Sequence, residues 1–245
     1  MARAHGRTHD DSDGAPHRGL AHPLESLVFL LPLILLYEVG SFHLDPSLIV
    51  DGQNRVVAFQ LLRTFFELFG PTGRWMPGLA VVAILLGAQI FSRRPWRVRP
   101  LAVPGLFAQA VLWSLPLVAA SKLLILTANT GASRSLWSDM VLSIGAGVYE
   151  ELVFRLILIC LLVMIGSDLL RFPAGRTTLA AVLISAALFA AHHHPPVGSE
   201  PFETARFGFR LMAGMYLGAI FVYRGYAVAA GTHVAYNVTV IALVA

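Results

Sequence analysis

Charge is what this chain has least of. Aspartate, glutamate, lysine and arginine make up 13% of its 245 residues, about half the share of a soluble domain, which argues against a soluble enzyme. Lysine is nearly missing: Lys122 is the only one among eighteen cations. It lies in the third apolar run and not the last, which weighs against a retinal-type receptor. Cysteine occurs once, as Cys160 within an apolar run, and this excludes an intramolecular disulfide and any multi-cysteine metal site. The pI of about 9.6 comes without a dense basic stripe interleaved with aromatics, so nucleic acid is not an expected partner. No G-x-x-x-x-G-K-[ST] or G-x-G-x-x-G phosphate-binding pattern and no repeat of 20 to 50 residues is present.

What is present is apolar: 56% of the chain, gathered in long stretches with almost no charge, the pattern of a polytopic membrane protein. Residues 1–22 (MARAHGRTHDDSDGAPHRGLAH) carry few large apolar side chains, cannot bury enough surface to fold, and read as a disordered cytoplasmic tail. Residues 23–245 read as a single membrane domain. The first apolar run, Leu24 to Phe42, lacks a small-residue cleavage site and follows too long a tail for a signal peptide. Further runs at about Trp75 to Phe91, Leu101 to Ala128, Leu136 to Ile165, Thr178 to His193, Phe207 to Tyr223 and Tyr226 to Val244 bring the expected crossings to seven. Between the first two, NRVVAFQLLRTFFELF places Gln60, Arg63, Thr64 and Glu67 on one stripe of an apolar cylinder. That pattern fits an interfacial amphipathic helix, or else a short membrane helix with a polar seam. The fold class expected is therefore all-α, a transmembrane bundle of about seven helices plus one interfacial helix. With the N-terminus inside, ten of the eighteen cations fall on inner segments, seven on outer ones, and Arg155 within a run. The loop SRRPWRVRP at 92–100 is the strongest cytoplasmic signal.

A carboxylate near the bilayer centre costs at least about 2.5 kcal/mol, so each ionisable group inside an apolar run is a site hypothesis. GAGVYEELVFRLILI holds Glu150, Glu151 and Arg155. Glu151 and Arg155 are four apart on one helical face, with the acid first, the better order for a pair. Glu150 points about 100° away, finds no partner in its own helix and needs one from another. In LISAALFAAHHHPP, His193 shares a face with Phe189, while helical rotation turns His192 and His194 elsewhere. In AVAAGTHVAYNVTV, His233 and Asn237 are four apart, behind small residues that would let a neighbouring helix approach. Each histidine alone is more often a helix-to-helix hydrogen bond than a catalyst. An uncompensated glutamate, two histidines and an asparagine on three helices together supply a base, proton carriers and an oxyanion donor, a hydrolytic inventory.

EELVFR at 150–155, FAAHH at 189–193 and HVAYN at 233–237, in that order, resemble the E-E-x-x-x-R, F-x-x-x-H and H-x-x-x-N/D motifs of the CPBP family. These are the CAAX prenyl proteases of the Rce type and their bacterial relatives, the Abi proteins. The resemblance covers about residues 136–244. It implies a helical membrane fold enclosing a polar cavity and intramembrane endopeptidase activity. It also implies that Glu150 activates the attacking water with His193, that His233 and Asn237 stabilise the oxyanion, and that Glu151, Arg155 and Phe189 hold the site in shape. Two chemistries follow: zinc held by Glu150, His193 and His233, or a metal-free glutamate general base. No H-E-x-x-H lies on one helix. The partners implied are the bilayer and a peptide or protein substrate, lipidated or not; the location implied is a bacterial inner membrane with the N-terminus cytoplasmic. A histidine flanks His193 on each side, so its choice over His192 rests on spacing, and the loop PPVGSEPFETARF reads as a lid or as a plain connector.

Two other readings compete. A non-catalytic scaffold or bacteriocin-immunity-type protein would use the same polar cluster to bind a partner peptide. A proton-coupled transporter would use it as a relay, although the chain lacks two halves with matching interrupted helices.

Overall fold

Long apolar runs in a hydrocarbon solvent have to satisfy their backbone hydrogen bonds internally, and the result is a helical bundle. A computed structural model describes residues 22–42, 76–123, 135–198 and 200–244. In chain order the helices are α1 (Pro23–Phe42), α2 (Met76–Ser92), α3 (Ala102–Leu123), α4 (Leu136–Leu169), α5 (Ala174–Ala191), α6 (Thr204–Arg224) and α7 (Tyr226–Val244). No strand occurs among the described residues. Among the described residues, six helices are long and apolar enough to cross a membrane, and α2 is a shorter apolar helix. This is a polytopic all-α bundle, as its runs indicate. The tail over 1–21 and the stretch NRVVAFQLLRTFFELF lie outside the described residues.

Local chemistry sets several helix ends. Ser135 caps α4 by accepting from the Ser138 backbone N–H at 3.2 Å, relieving one of the unpaired first-turn donors. Helix α6 ends at Gly225, whose φ of 92° belongs to the left-handed region open to glycine, and Tyr226 then starts α7 at once. Within α4 the α-helix stops at Glu151 and Leu152–Ile159 is π-helical. The carbonyl of Phe154 in that stretch accepts from Ser185 Oγ of α5 at 2.7 Å.

Helix α7 runs through the middle, packed against α3, α4, α6 and α1, with Tyr226 to Ala230 buried. Helix α5 lies on α6 and on the π-helical part of α4, and α1 lies on α4 and α2. Polar ties fix the arrangement. Tyr149 of α4 donates to Glu38 of α1 at 2.6 Å, and Tyr216 of α6 donates to the Trp113 carbonyl of α3 at 2.9 Å. At one end of the bundle Arg99 donates through Nε and Nη2 to the two carboxylate oxygens of Glu25, at 2.8 Å each. Large apolar side chains such as Leu35, Val39, Phe107, Leu112 and Leu183 face outward. Such a surface would drive aggregation in water and is the expected one against lipid.

Candidate active site

Four elements converge on one cavity: the middle of α4, the end of α5, the first half of α6 and the middle of α7. Their close approach has a sequence cause. A Cβ on Gly147 of α4 would lie 2.7 Å from the Val234 backbone nitrogen of α7, and one on Gly214 of α6 would lie 3.0 Å from Ala186 Cα of α5. Only hydrogen at these positions lets the helices approach so closely. The cavity, about 270 Å³, is lined by Glu150, Phe189, His193, His233 and Asn237, together with Arg206, Arg210 and Tyr236.

Glu150 has no partner on its own helix. It meets three imidazoles, with His192 Nε2 at 3.6 Å, His193 Nε2 at 4.0 Å and His233 Nε2 at 3.8 Å. The other nitrogen of each ring is anchored. His192 and His193 both turn Nδ1 onto the Phe189 carbonyl, His193 at 3.0 Å. His233 turns Nδ1 onto Glu151 Oε1 at 2.9 Å. Carbonyl and carboxylate oxygens only accept, so in each ring Nδ1 carries the proton. A neutral ring therefore presents a bare lone pair at Nε2, and all three face the Glu150 carboxylate. An acceptor-only cluster of this kind is completed by a proton donor or a cation. Burial of His193, beyond the end of α5, pushes its imidazole down to about 3 against the opposing pull of Glu150, which favours the neutral ring there.

Glu151 and Arg155 lie behind the cavity, both fully buried. Their ion pair, Arg155 Nη1 to Glu151 Oε1, spans 3.0 Å. Arg155 also donates through Nη2 to the Gly214 carbonyl at 3.3 Å and stacks 4.3 Å from the Phe189 ring centre. Phe189 thus touches the pair on one side and the rings of His193 and His233 on the other. Asn237 uses one amide hydrogen on the Ser143 carbonyl at 3.3 Å and retains the second.

The sequence reading differs at two points. It turned His192 away from the site, but His192 is the C-cap of α5 and His193 lies beyond it, and at this helix end both side chains fold back onto the Phe189 carbonyl. Their rings stand 3.9 Å apart and share the Phe189 carbonyl. The signal was Pro195 and Pro196, because a residue before proline is pushed out of the α region and the helix has to finish first. His194 does face elsewhere, towards the Glu200 carbonyl at 3.0 Å. The second point is the set of residues able to hold a metal: Glu150, His192 and His193 offer one atom each within 4.8 Å, which brings in His192, while His233 Nε2 lies 3.8 Å from the other Glu150 oxygen. Ligands 2.0–2.1 Å from one tetrahedral zinc stand about 3.4 Å apart, near the 3.6 and 4.0 Å seen here. The Nδ1–H to carbonyl bonds are the usual outer support of metal-bound histidine, so the donor set fits zinc. Arg206 and Arg210 entered the sequence reading only as outer cations; no motif marks them.

Residues 131–239 match a family model described as Type II CAAX prenyl endopeptidase Rce1-like. No curated protein matches the chain, and no solved structure does.

Proposed function

We propose, from the match of residues 131–239 to a family model described as Type II CAAX prenyl endopeptidase Rce1-like, an intramembrane endopeptidase that cuts a peptide bond near the membrane surface. The observation that carries the reading is the ring of three imidazole Nε2 atoms around the Glu150 carboxylate, a receptor for a water molecule. Glu150, with His193, takes a proton from that water as its oxygen bonds to the scissile carbonyl carbon. Asn237 donates its free amide hydrogen to the developing oxyanion. His233 aims Nε2 at the same place, and because its Nδ1–H is committed to Glu151, it donates there once a proton taken from solvent makes it an imidazolium, whose charge Glu151 offsets. As the C–N bond breaks, Glu150 returns the proton to the leaving nitrogen. Phe189 and Arg155 keep the rings in place. A divalent cation held by His192, His193 and Glu150 would supply Lewis acidity and a bound water of lowered pKa at the same spot.

The substrate is a peptide or protein segment in the bilayer, lipidated or not. The membrane is a bacterial inner membrane, with the arginine-rich 92–100 loop cytoplasmic, in keeping with the positive-inside rule. The test is profiling of new peptide termini in membranes expressing wild type or Glu150→Gln at matched levels. Termini made only by wild type are expected, and Glu150→Gln inserts and folds normally. The same termini from both proteins overturn the proposal, and a partner captured equally by both, without a cut, moves the cluster to a scaffold role.

A further inference from the structure

Two guanidinium groups share the cavity with the water-activating cluster, and the proposed chemistry uses neither. Arg206 and Arg210 stand four apart on α6, hence on one face, and both line the cavity. Each is held by an acid of the segment that leads from α5 into α6. Arg206 Nε pairs with Glu203 Oε2 at 2.8 Å, and Arg210 Nη2 donates to both carboxylate oxygens of Glu200, at 2.8 Å each.

The second pairing is incomplete. A carboxylate meets arginine best across two nitrogens, each oxygen taking its own N–H. Here both oxygens crowd one nitrogen, and Arg210 Nη1 is buried with no hydrogen-bond partner among the described residues. The two partners also differ in exposure, Arg210 at 20% and Glu200 at 41%. The guanidinium is part of the cavity wall, whereas the acid sits on a connecting segment and leaves at little cost, as partly exposed pairs do.

The geometry points to Arg210, assisted by Arg206, as the dock for a carboxylate of the peptide substrate, with Glu200 holding that place until the substrate arrives. One carboxylate replaces another, so the charge balance of the cavity is unchanged. The incoming group gains the fork geometry and the free Nη1 that Glu200 does not use. Two sources share this chemistry, the free C-terminus of the peptide and an aspartate or glutamate side chain close to the scissile bond. The inference rests on the endopeptidase reading and adds substrate selection by charge to it.

The test uses the full-length chain carrying Glu150→Gln, purified in detergent, so that bound peptide stays intact. The probe is a library of apolar hexapeptides in matched free-acid and C-terminal amide forms, with and without one internal glutamate, and retained peptides are counted by mass spectrometry. Carboxylate-bearing peptides are expected to be retained at least tenfold over fully amidated ones. Adding Arg210→Gln removes the preference, Arg210→Lys restores part of it, and adding Glu200→Gln strengthens it several-fold. Amidated peptides that keep an internal glutamate reveal whether a side chain suffices. Equal retention of charged and uncharged peptides, or no retention at all, overturns the inference. If wild type produces new termini while charge preference is absent, docking fails and the peptidase stands; if charge preference is present without new termini, docking stands and the peptidase fails.

Discussion

Glu151 is the residue on which the two halves of the site meet. Its Oε1 receives the His233 Nδ1–H at 2.9 Å and faces Arg155 Nη1 at 3.0 Å, all without solvent. Removing one partner of a buried pair leaves an uncompensated charge, at about 3–5 kcal/mol. Glu151→Gln is therefore expected to lower the melting temperature in detergent, read from tryptophan fluorescence, because Arg155 loses its counter-charge. The double change Glu151→Gln with Arg155→Met removes both charges and should melt near wild type. It should still lose turnover at least a hundredfold, since no carboxylate then offsets an imidazolium at His233. Wild-type turnover in the double variant would reduce Glu151 to a neutraliser of Arg155. The sequence revealed the Glu151–Arg155 pair because four-residue spacing fixes a helical face. It concealed the His233 bond, which depends on how near α7 comes to α4.

That approach is a property of the elements. The Cβ of an alanine at 147 would meet Val234 Cγ2 at 2.4 Å and its backbone nitrogen at 2.7 Å, and backbone does not yield as a flexible side chain does. Gly147→Ala should push α4 and α7 apart and lengthen the His233–Glu151 bond. Displacements of about 1 Å in a catalytic constellation cost about a hundredfold. The expected result is kcat down ten- to a hundredfold, with the chain still monodisperse. Gly105→Ala in α3, where a Cβ meets nothing within 4 Å, serves as the control and should leave kcat unchanged. Unaltered turnover in Gly147→Ala would show that the site tolerates looser packing. Periodicity marks where α4 and α7 lie, and their small residues mark a close face. The last turn of α5 was harder to read, because a local rule for helices was extended past the point where two prolines end one.

At the scale of the whole molecule, hydropathy made the bundle legible, while the sidedness of its loops depends on the sparse cations. Helix α2 is the weak link in the count. Its 17 residues span about 25 Å at 1.5 Å each, at the lower limit for a hydrocarbon core of about 30 Å. If α2 crosses and the N-terminus is cytoplasmic, the loop before α3 is inside and the loop between α5 and α6 is outside. Trp96 and Phe202 are exposed in those two loops, at 61% and 64%, and Cys160 is the single native thiol. In a Cys160→Ala background, Phe202→Cys should react with an impermeant maleimide added to intact spheroplasts, and Trp96→Cys only after lysis. The reverse pattern would invert the topology against the arginine-rich loop. Labelling of both from one face would mean an even number of crossings between positions 96 and 202, where α3, α4 and α5 supply three, so the error would then lie among these three helices and not in α2.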